Sequence, residues 1–145
     1  RCEEAGFSFH SMGGTYWDES ACYAFGADQV DRLEEVTAEL HQLCLAAADE
    51  LGGDGVGVRV VSMPSSSRFA AQDDAYRDAV LPPGVRARIS VEAGSTMGWD
   101  RWVGEGGISV GIDRFGASAP AADVAEHLGM TAPAVAARAR ELLGR

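Results

Sequence analysis

The chain has 145 residues, enough to bury the core of one ordinary domain but not of two. Hydrophobic residues make up 46% of it and charged residues 23%, which is typical of a globular protein. A net charge of -10, with basic residues that are all Arg and scattered along the chain, argues against binding to nucleic acid or to an anionic membrane surface.

The chain has neither a run of about 20 apolar residues, as a membrane span needs, nor a signal peptide in its first ten residues. Cys2, Cys22 and Cys44 are odd in number and widely spaced, so reduced thiols are expected rather than a disulfide framework. We therefore expect a cytoplasmic location. Because the chain begins with Arg, we interpret it as a fragment, a processed product or an engineered chain.

The first half of the sequence predicts an aromatic lead-in followed by a long helix. Residues 1–26 are rich in aromatic side chains around a Gly-Gly pair, which indicates a hairpin or an irregular segment. From Asp28 to Leu51, apolar residues recur every three or four positions, as on an amphipathic helix. We expect Asp28 as its N-cap and an end at Gly52-Gly53.

The second half alternates strand-like and helix-like patterns. Three β-branched runs predict strands: VGVRVVSMP (56–64), RARISVEAG (86–94) and ISVGIDRFG (108–116). Between them, FAAQDDAYRDAVL (69–81) predicts a helix and MGWDRWVG (97–104) a short helical or turn segment. Two helices should close the chain, each with a Ser or Thr cap two residues before a Pro, at Ser118 and Thr131. This order predicts an α/β fold with parallel strand pairs and helices on the faces of a small sheet.

Few residue patterns here indicate chemistry. His41 and Cys44 share a helical face, but zinc needs four ligands and no second pair has a matching spacing, so we interpret Cys44 as a core residue. His10 and His127 adjoin no nucleophile in a pattern that predicts a catalytic triad. The acidic pairs fall on predicted helices, where solvated faces usually carry them.

Two glycine-rich stretches, GGDG (52–55) and GEGG (104–107), lack the order of a phosphate-binding loop. We interpret both as turns.

Two pairs of residues are candidates for a binding surface. Asp113 and Arg114 follow a predicted strand, where open α/β sheets place their ligands; a local ion pair or loop contact is the alternative. Trp99 and Trp102 lie three residues apart and could form an exposed pair at an interface, although core packing is the more common use of such residues.

The sequence from about residue 43 resembles the C-terminal domain of transketolase. The resemblance is carried by VRVVSMP (58–64), FAAQDDAYRDAVLPP (69–83), ARISVEAG (87–94), GWDRWVG (98–104) and GIDRFGASAP (111–120). It implies a three-layer α/β/α module with a small, mostly parallel mixed sheet, without a cofactor site of its own and with a role in domain or subunit contacts. The first strand expected for that family is absent here.

Residues 1–48 resemble instead the N-terminal segment of the glutathionylspermidine synthase family, through YWDE-x-A-x-Y-x-F and LH-x-L-C-L-x-A. That segment precedes the ATP-grasp portion of the family, so no catalytic residue is implied. The two resemblances together indicate a composite chain, with a lead-in at 1–42 and a transketolase-like domain at 43–145.

Three functions follow from these resemblances. The first is a non-catalytic transketolase-type domain whose partners are proteins, either other transketolase domains or a second subunit; a full-length parent would carry out two-carbon transfer between sugar phosphates with thiamine diphosphate and Mg²⁺. The second is a fragment of an ATP-dependent C–N ligase. The third is an engineered scaffold without enzymatic activity. We expect no catalytic, cofactor-binding or metal-binding residue in this chain.

Overall fold

The computed structural model of the chain describes residues 10–11 and 27–144, with side chains from residue 39 onward. The elements, in chain order, are β1 (His10–Ser11), α1 (Ala27–Gly53), α2 (Ser66–Ala70), α3 (Asp74–Val80), β2 (Ile89–Glu92), α4 (Asp100–Val103), β3 (Ile108–Val110), α5 (Ala121–His127) and α6 (Ala132–Leu143). The prediction for the aromatic lead-in falls mostly outside the described residues. None of the helices in the described part is long and apolar enough to cross a membrane.

The sheet has three parallel strands in the order β1-β2-β3, so β2 is its central strand. On one edge of β2, His10 pairs with Val91 and Ser11 pairs with Glu92. On its other edge, Ile89, Ser90 and Val91 pair with Ile108, Ser109 and Val110. The predicted fold class, a small parallel sheet with helices, is confirmed.

The first core lies on the face of β2 that carries Ile89 and Val91. Helices α1 and α6 cover this face, and the small buried side chains of Ala47 and Ala136 let the two helices approach each other closely. The buried members of the first core are Leu40, Cys44, Ala47, Leu51, Val91, Met130, Val135, Ala136 and Ala139. From Leu40 to Leu51, where side chains are described, the stripe predicted for α1 is therefore the face that packs.

The second core contains Val61, Met63, Val80, Trp99 and Trp102. The Trp102 ring meets the ring of Phe69 edge to face, with a centroid distance of 5.1 Å. The Trp99 indole N–H donates to the carboxylate of the buried Glu92 at 3.3 Å. Because side chains alternate along a strand, Glu92 and Ser90 face away from the first core. The two cores therefore lie on opposite faces of the sheet.

The predicted strand at 56–64 is wrong: these residues belong to no strand among those that the structure describes. A strand requires a neighbour to which its backbone can hydrogen-bond, and a run of Val residues does not supply one. Consistent with that, Val58 remains 43% exposed although it lies in the middle of the run.

Three helix predictions also need correction. Helix α1 begins at Ala27, so Asp28 lies inside it. The predicted helix at 69–81 is two short helices, because the Asp73 side chain accepts from the Tyr76 N–H at 2.7 Å and starts a new helix there. The predicted cap at Ser118 is wrong, because α5 begins after Pro120 without a side-chain cap. The cap predicted at Thr131 is confirmed, since its hydroxyl accepts a hydrogen bond from the Ala134 N–H.

Arg88 ties the start of β2 to its surroundings. Its guanidinium donates to the carbonyl oxygens of Val85, Trp102, Leu81 and Pro82 at 2.8 to 3.2 Å. Carbonyl groups at the ends of α3 and α4 would otherwise lack partners from within their helices. A single side chain thus connects the two elements that precede and follow β2.

The turn before β3 requires glycine at residue 107. A Cβ atom there would lie 2.5 Å from the Val103 Cβ and 2.6 Å from the Val103 carbonyl oxygen, whereas a Cβ at the neighbouring Gly106 would meet nothing within 4 Å. We expect Gly107→Ala to lower the free energy of unfolding by about 1–3 kcal/mol, as overpacking does. We expect Gly106→Ala to be neutral or to raise it by roughly 0.4–1 kcal/mol, because it restricts the unfolded chain. Urea unfolding of both variants measures the difference, and equal midpoints would contradict it.

Candidate functional site

The loops that follow β2 and β3 meet at the carboxyl end of the sheet. The Gly94 carbonyl accepts from the Ile112 N–H at 2.7 Å, which joins the two loops. A Cβ atom at Gly111 would lie 2.7 Å from the Thr96 methyl carbon. The two loops therefore approach each other more closely at Gly111 than a residue with a side chain would allow. In open α/β sheets this edge is the usual place for ligand contacts.

Asp113 holds the two loops together. Its carboxylate accepts hydrogen bonds from the Ser95 hydroxyl at 3.0 Å, from the Thr96 N–H at 2.8 Å and from the Thr96 hydroxyl at 2.6 Å. The bonds from Thr96, followed by the bond from Ser95, lower the pKa of Asp113 below its ordinary value of 3.8 because they favour the ionised form. These hydrogen bonds are the loop contact that the sequence analysis gave as the alternative, and a ligand contact at Asp113 stays a prediction.

Two large apolar side chains stand exposed on these same loops. Met97, next to Thr96, is 83% exposed, and Phe115, two residues after Asp113, is 97% exposed. We call Ser95, Thr96, Met97, Asp113 and Phe115 the strand-end surface. The sequence analysis missed the two apolar members, since Phe115 lay within a predicted strand and Met97 within a predicted turn.

The other residues that the sequence analysis named for a binding surface are Arg114, Trp99 and Trp102. Arg114 is exposed and, together with His127, lines a shallow depression of about 210 Å³ beside Asp113. Trp99 and Trp102 are 6% and 9% exposed and belong to the second core, so they do not form an exposed pair. The Arg101 guanidinium lies over the Trp102 ring at 4.4 Å from its centroid.

The sequence patterns that we considered for metal or phosphate binding have structural roles. Cys44 is buried in the first core, and burial raises the pKa of its thiol to about 11, which disfavours the thiolate that a metal needs. Within the described ranges, no group of three or more His, Cys, Asp and Glu side chains is placed to hold a metal ion. The glycine-rich stretches at 52–55 and 104–107 contain turns, as predicted.

Three acidic residues at the end of α1 and on α3 form ion pairs. Asp54, just after α1, accepts from the Arg140 guanidinium at 2.7 Å, and Glu50 lies 2.9 Å from the same group. These contacts tie α6 to the end of α1 and raise the pKa of Arg140. Asp74 pairs with Arg77 one turn along α3.

A small parallel sheet with helices packed on its faces defines an α/β domain. A family model described as "Transketolase-like TK C-terminal domain" matches residues 38–131. The chain therefore belongs to the family of transketolase-like C-terminal domains.

Relatives of known sequence agree with this assignment. The chain is 52% identical over 101 residues to transketolase 7 of Craterostigma plantagineum and 46% identical over 103 residues to the transketolase of Geobacillus stearothermophilus. These matches cover 70% and 71% of this chain but only 15% of each relative. The chain thus matches a small part of the length of these transketolases.

Solved structures show the same fold. Transketolase from Leishmania mexicana matches with a TM-score of 0.67 and 33% identity over 96% of this chain and 16% of that one. A transketolase from Pichia stipitis matches with a TM-score of 0.69 and 28% identity over 97% of this chain and 17% of that one. These comparisons bear out the transketolase resemblance and give no support to a segment related to glutathionylspermidine synthase.

The Asp113 contact should show as a pH dependence of stability. Because its pKa is lowered in the folded chain, its contribution is complete above about pH 4 and is lost as pH falls through the folded-state pKa. Asp113→Asn resembles the protonated side chain. It should therefore have a lower melting temperature than the unchanged protein at pH 7, and the difference between the two melting temperatures should disappear towards pH 2. Thermal melts at both pH values measure it.

Glu105→Gln is the matched control for this experiment, since it removes a carboxylate from an exposed turn nearby. For this variant we expect the difference in melting temperature from the unchanged protein to be the same at pH 7 and pH 2. A gap for Asp113→Asn that is equal at pH 7 and pH 2 would contradict the assignment.

Proposed function

We propose that this chain is a non-catalytic domain of a transketolase-type protein and that it acts by contacting other domains or a second subunit through the strand-end surface. The observation that carries the proposal is the exposure of Phe115 and Met97, at 97% and 83%, beside polar contacts that fix their loops. Single exposed apolar residues are common on proteins, but these two stand on loops that hydrogen bonds tie together, which favours a shared contact.

The physical argument for a contact has two parts. Burying a Phe or a Met side chain fully is favourable by roughly 1.5–3 kcal/mol, so covering both would contribute usefully to an interface. The hydrogen bonds to Asp113 order the loops in advance, which reduces the conformational entropy lost on binding. Arg114 and the depression beside it would then lie at the polar rim of the contact.

Within a full-length parent, the proposed reaction is two-carbon transfer between sugar phosphates with thiamine diphosphate and Mg²⁺. We assign no residue of this chain to that chemistry. Its contribution would be to the assembly of the protein. We also propose a division of the chain near residue 42, between the lead-in and the transketolase-like domain.

The two alternatives predicted from the sequence have weaker support. An ATP-dependent C–N ligase fragment rests on residues 1–48 alone, half of which lie outside the described residues. An engineered scaffold without activity, or a composite of two families, rests on the same segment. Both can be tested by ligand binding.

The contact role predicts that the isolated chain self-associates when its apolar surface is left uncovered. Sedimentation velocity over a hundredfold range of concentration should show association, and Phe115→Ser should weaken it by roughly tenfold, since that equals about 1.4 kcal/mol. Tyr76→Ser is the control, because Tyr76 is 49% exposed on α3, away from the strand-end surface. A chain that stays monomeric throughout, or variants that behave alike, would remove the support for this surface.

Ligand titration separates the proposed role from the enzymatic alternatives. Isothermal titration with thiamine diphosphate and Mg²⁺, and separately with ATP and Mg²⁺, should show no saturable heat. Saturable binding of the first would place a cofactor site in this chain, and saturable binding of the second would favour the ligase alternative.

A further inference from the structure

The turn that follows α1 contains a peptide bond that can rearrange chemically. Asp54 is followed by Gly55, and this is the only Asp-Gly bond in the sequence, which also has no Asn. In such a bond the backbone nitrogen of the glycine can attack the side-chain carbon Cγ of the aspartate, because glycine has no side chain that hinders the approach. The product is a five-membered succinimide ring.

The reaction needs no reactant other than water. The Gly55 nitrogen forms a bond to the Asp54 Cγ, and one carboxyl oxygen leaves as water with the hydrogen of the nitrogen and the proton of the carboxylic acid. A water molecule then opens the ring. If it breaks the bond between the nitrogen and the backbone carbonyl carbon, the product is an isoaspartate, in which the main chain runs through Cγ.

Arg140 on α6 holds the side chain that would react. Its Nε and one terminal nitrogen both donate to the Asp54 Oδ2, at 2.9 and 2.7 Å. We call this pair of hydrogen bonds the Arg140 fork. Charge-assisted bonds of this kind stabilise the carboxylate, whereas attack at Cγ requires the neutral carboxylic acid. The fork therefore keeps Asp54 in its unreactive form and holds its side chain towards α6.

The backbone of the turn restrains the attacking nitrogen. The Gly55 N–H donates to the Gly52 carbonyl at 3.0 Å, and the Asp54 N–H donates to the Leu51 carbonyl at 3.0 Å. The turn is nevertheless open to solvent, since the Asp54 side chain is 46% exposed. Water for ring opening can therefore reach the site, and the contacts of the fork and the turn are what limit the reaction.

The charges at the end of α1 make the fork important. Carboxylates are unfavourable near the C-terminus of a helix, where carbonyl groups carry partial negative charge. Glu50 and Asp54 nevertheless lie there, and the last turn of α1 has no basic residue. Arg140 compensates from another helix, since it also pairs with Glu50 at 2.9 Å. When α6 leaves its place, Asp54 loses this cation.

We propose that the Asp54-Gly55 bond is a site of isoaspartate formation and that Arg140 protects it while α6 is packed on α1. The rearranged residue has one more carbon atom in the main chain and a displaced carboxylate, so it would not restore both the turn and the fork. Rearrangement would therefore loosen the contact between α6 and the end of α1. This inference is independent of the strand-end surface.

Ageing of the full chain at neutral pH tests the proposal. An isoaspartate-specific carboxyl methyltransferase with a labelled methyl donor measures the product, and peptide mapping locates it. Arg140→Gln should accumulate isoaspartate roughly tenfold faster than the unchanged protein, which is the factor expected for loss of one charge-assisted hydrogen bond. Asp54→Glu should stay at background, because Glu would have to close a six-membered ring. An unchanged rate in Arg140→Gln, or equal labelling of Asp54→Glu and the unchanged protein, would overturn the proposal.

Two control variants separate loss of the fork from loss of stability. Arg138→Gln removes the ion pair with Glu141 on the same helix, and Gly107→Ala destabilises the chain at the turn before β3. Neither should accelerate the reaction as Arg140→Gln does. Equal acceleration by Gly107→Ala would show that general unfolding exposes the bond, which would overturn the proposal.

A conservative variant keeps the test decisive if Arg140→Gln fails to fold, as shown by loss of its helical circular dichroism. Arg140→Lys then replaces it, because lysine keeps the positive charge but has a single nitrogen and cannot form the fork. Isoaspartate should still form faster in Arg140→Lys than in the unchanged protein. Equal rates in the two proteins would overturn the proposal.

Discussion

The structure depends on β2 having a neighbour along each edge. β2 is the central strand, the two cores lie on its two faces, and its buried polar side chains have hydrogen-bond partners: Ser90 donates to Ser109 on β3 at 2.8 Å, and Glu92 accepts from Trp99, which precedes α4. A buried strand without a partner leaves peptide groups unsatisfied, which is unfavourable by about 1–3 kcal/mol for each group. Its pairing with β1 involves Val91 and Glu92, whereas its pairing with β3 begins at Ile89.

The pairing of β2 with β3 also positions the loops of the strand-end surface. Because β2 and β3 are parallel and in register, their following loops emerge side by side, and Asp113 can accept hydrogen bonds from Ser95 and Thr96. Exposed Met97 and Phe115 therefore lie on loops that hydrogen bonds join at the end of the sheet. The family comparison gives the chain a place among transketolase-like C-terminal domains, and this edge is where its geometry offers a contact.

Sequence reasoning was reliable where the determinants were local. The stripe of Leu40, Cys44, Ala47 and Leu51 predicted the packed face of α1, and Thr131 predicted the start of α6, because both depend on residues a few positions apart. It failed at residues 56–64, whose pairing depends on a neighbouring strand distant in the chain. The carbonyl contacts of Arg88 and the exposure of Phe115 were missed for the same reason, since each is decided by tertiary neighbours. The position of Asp113 after a predicted strand made it a candidate, but its hydrogen-bond partners could not be predicted from the sequence.

The burial of Cys44 has a consequence for the chemistry of this chain in air. Because burial raises its pKa to about 11, the thiol holds its proton at neutral pH, and it is only 7% exposed in the first core. Sulfenic acid formation and mixed disulfides both start from an accessible thiolate, so the packed helices shield this sulfur from oxidants. Oxidation of this sulfur should therefore be slow while the first core stays packed.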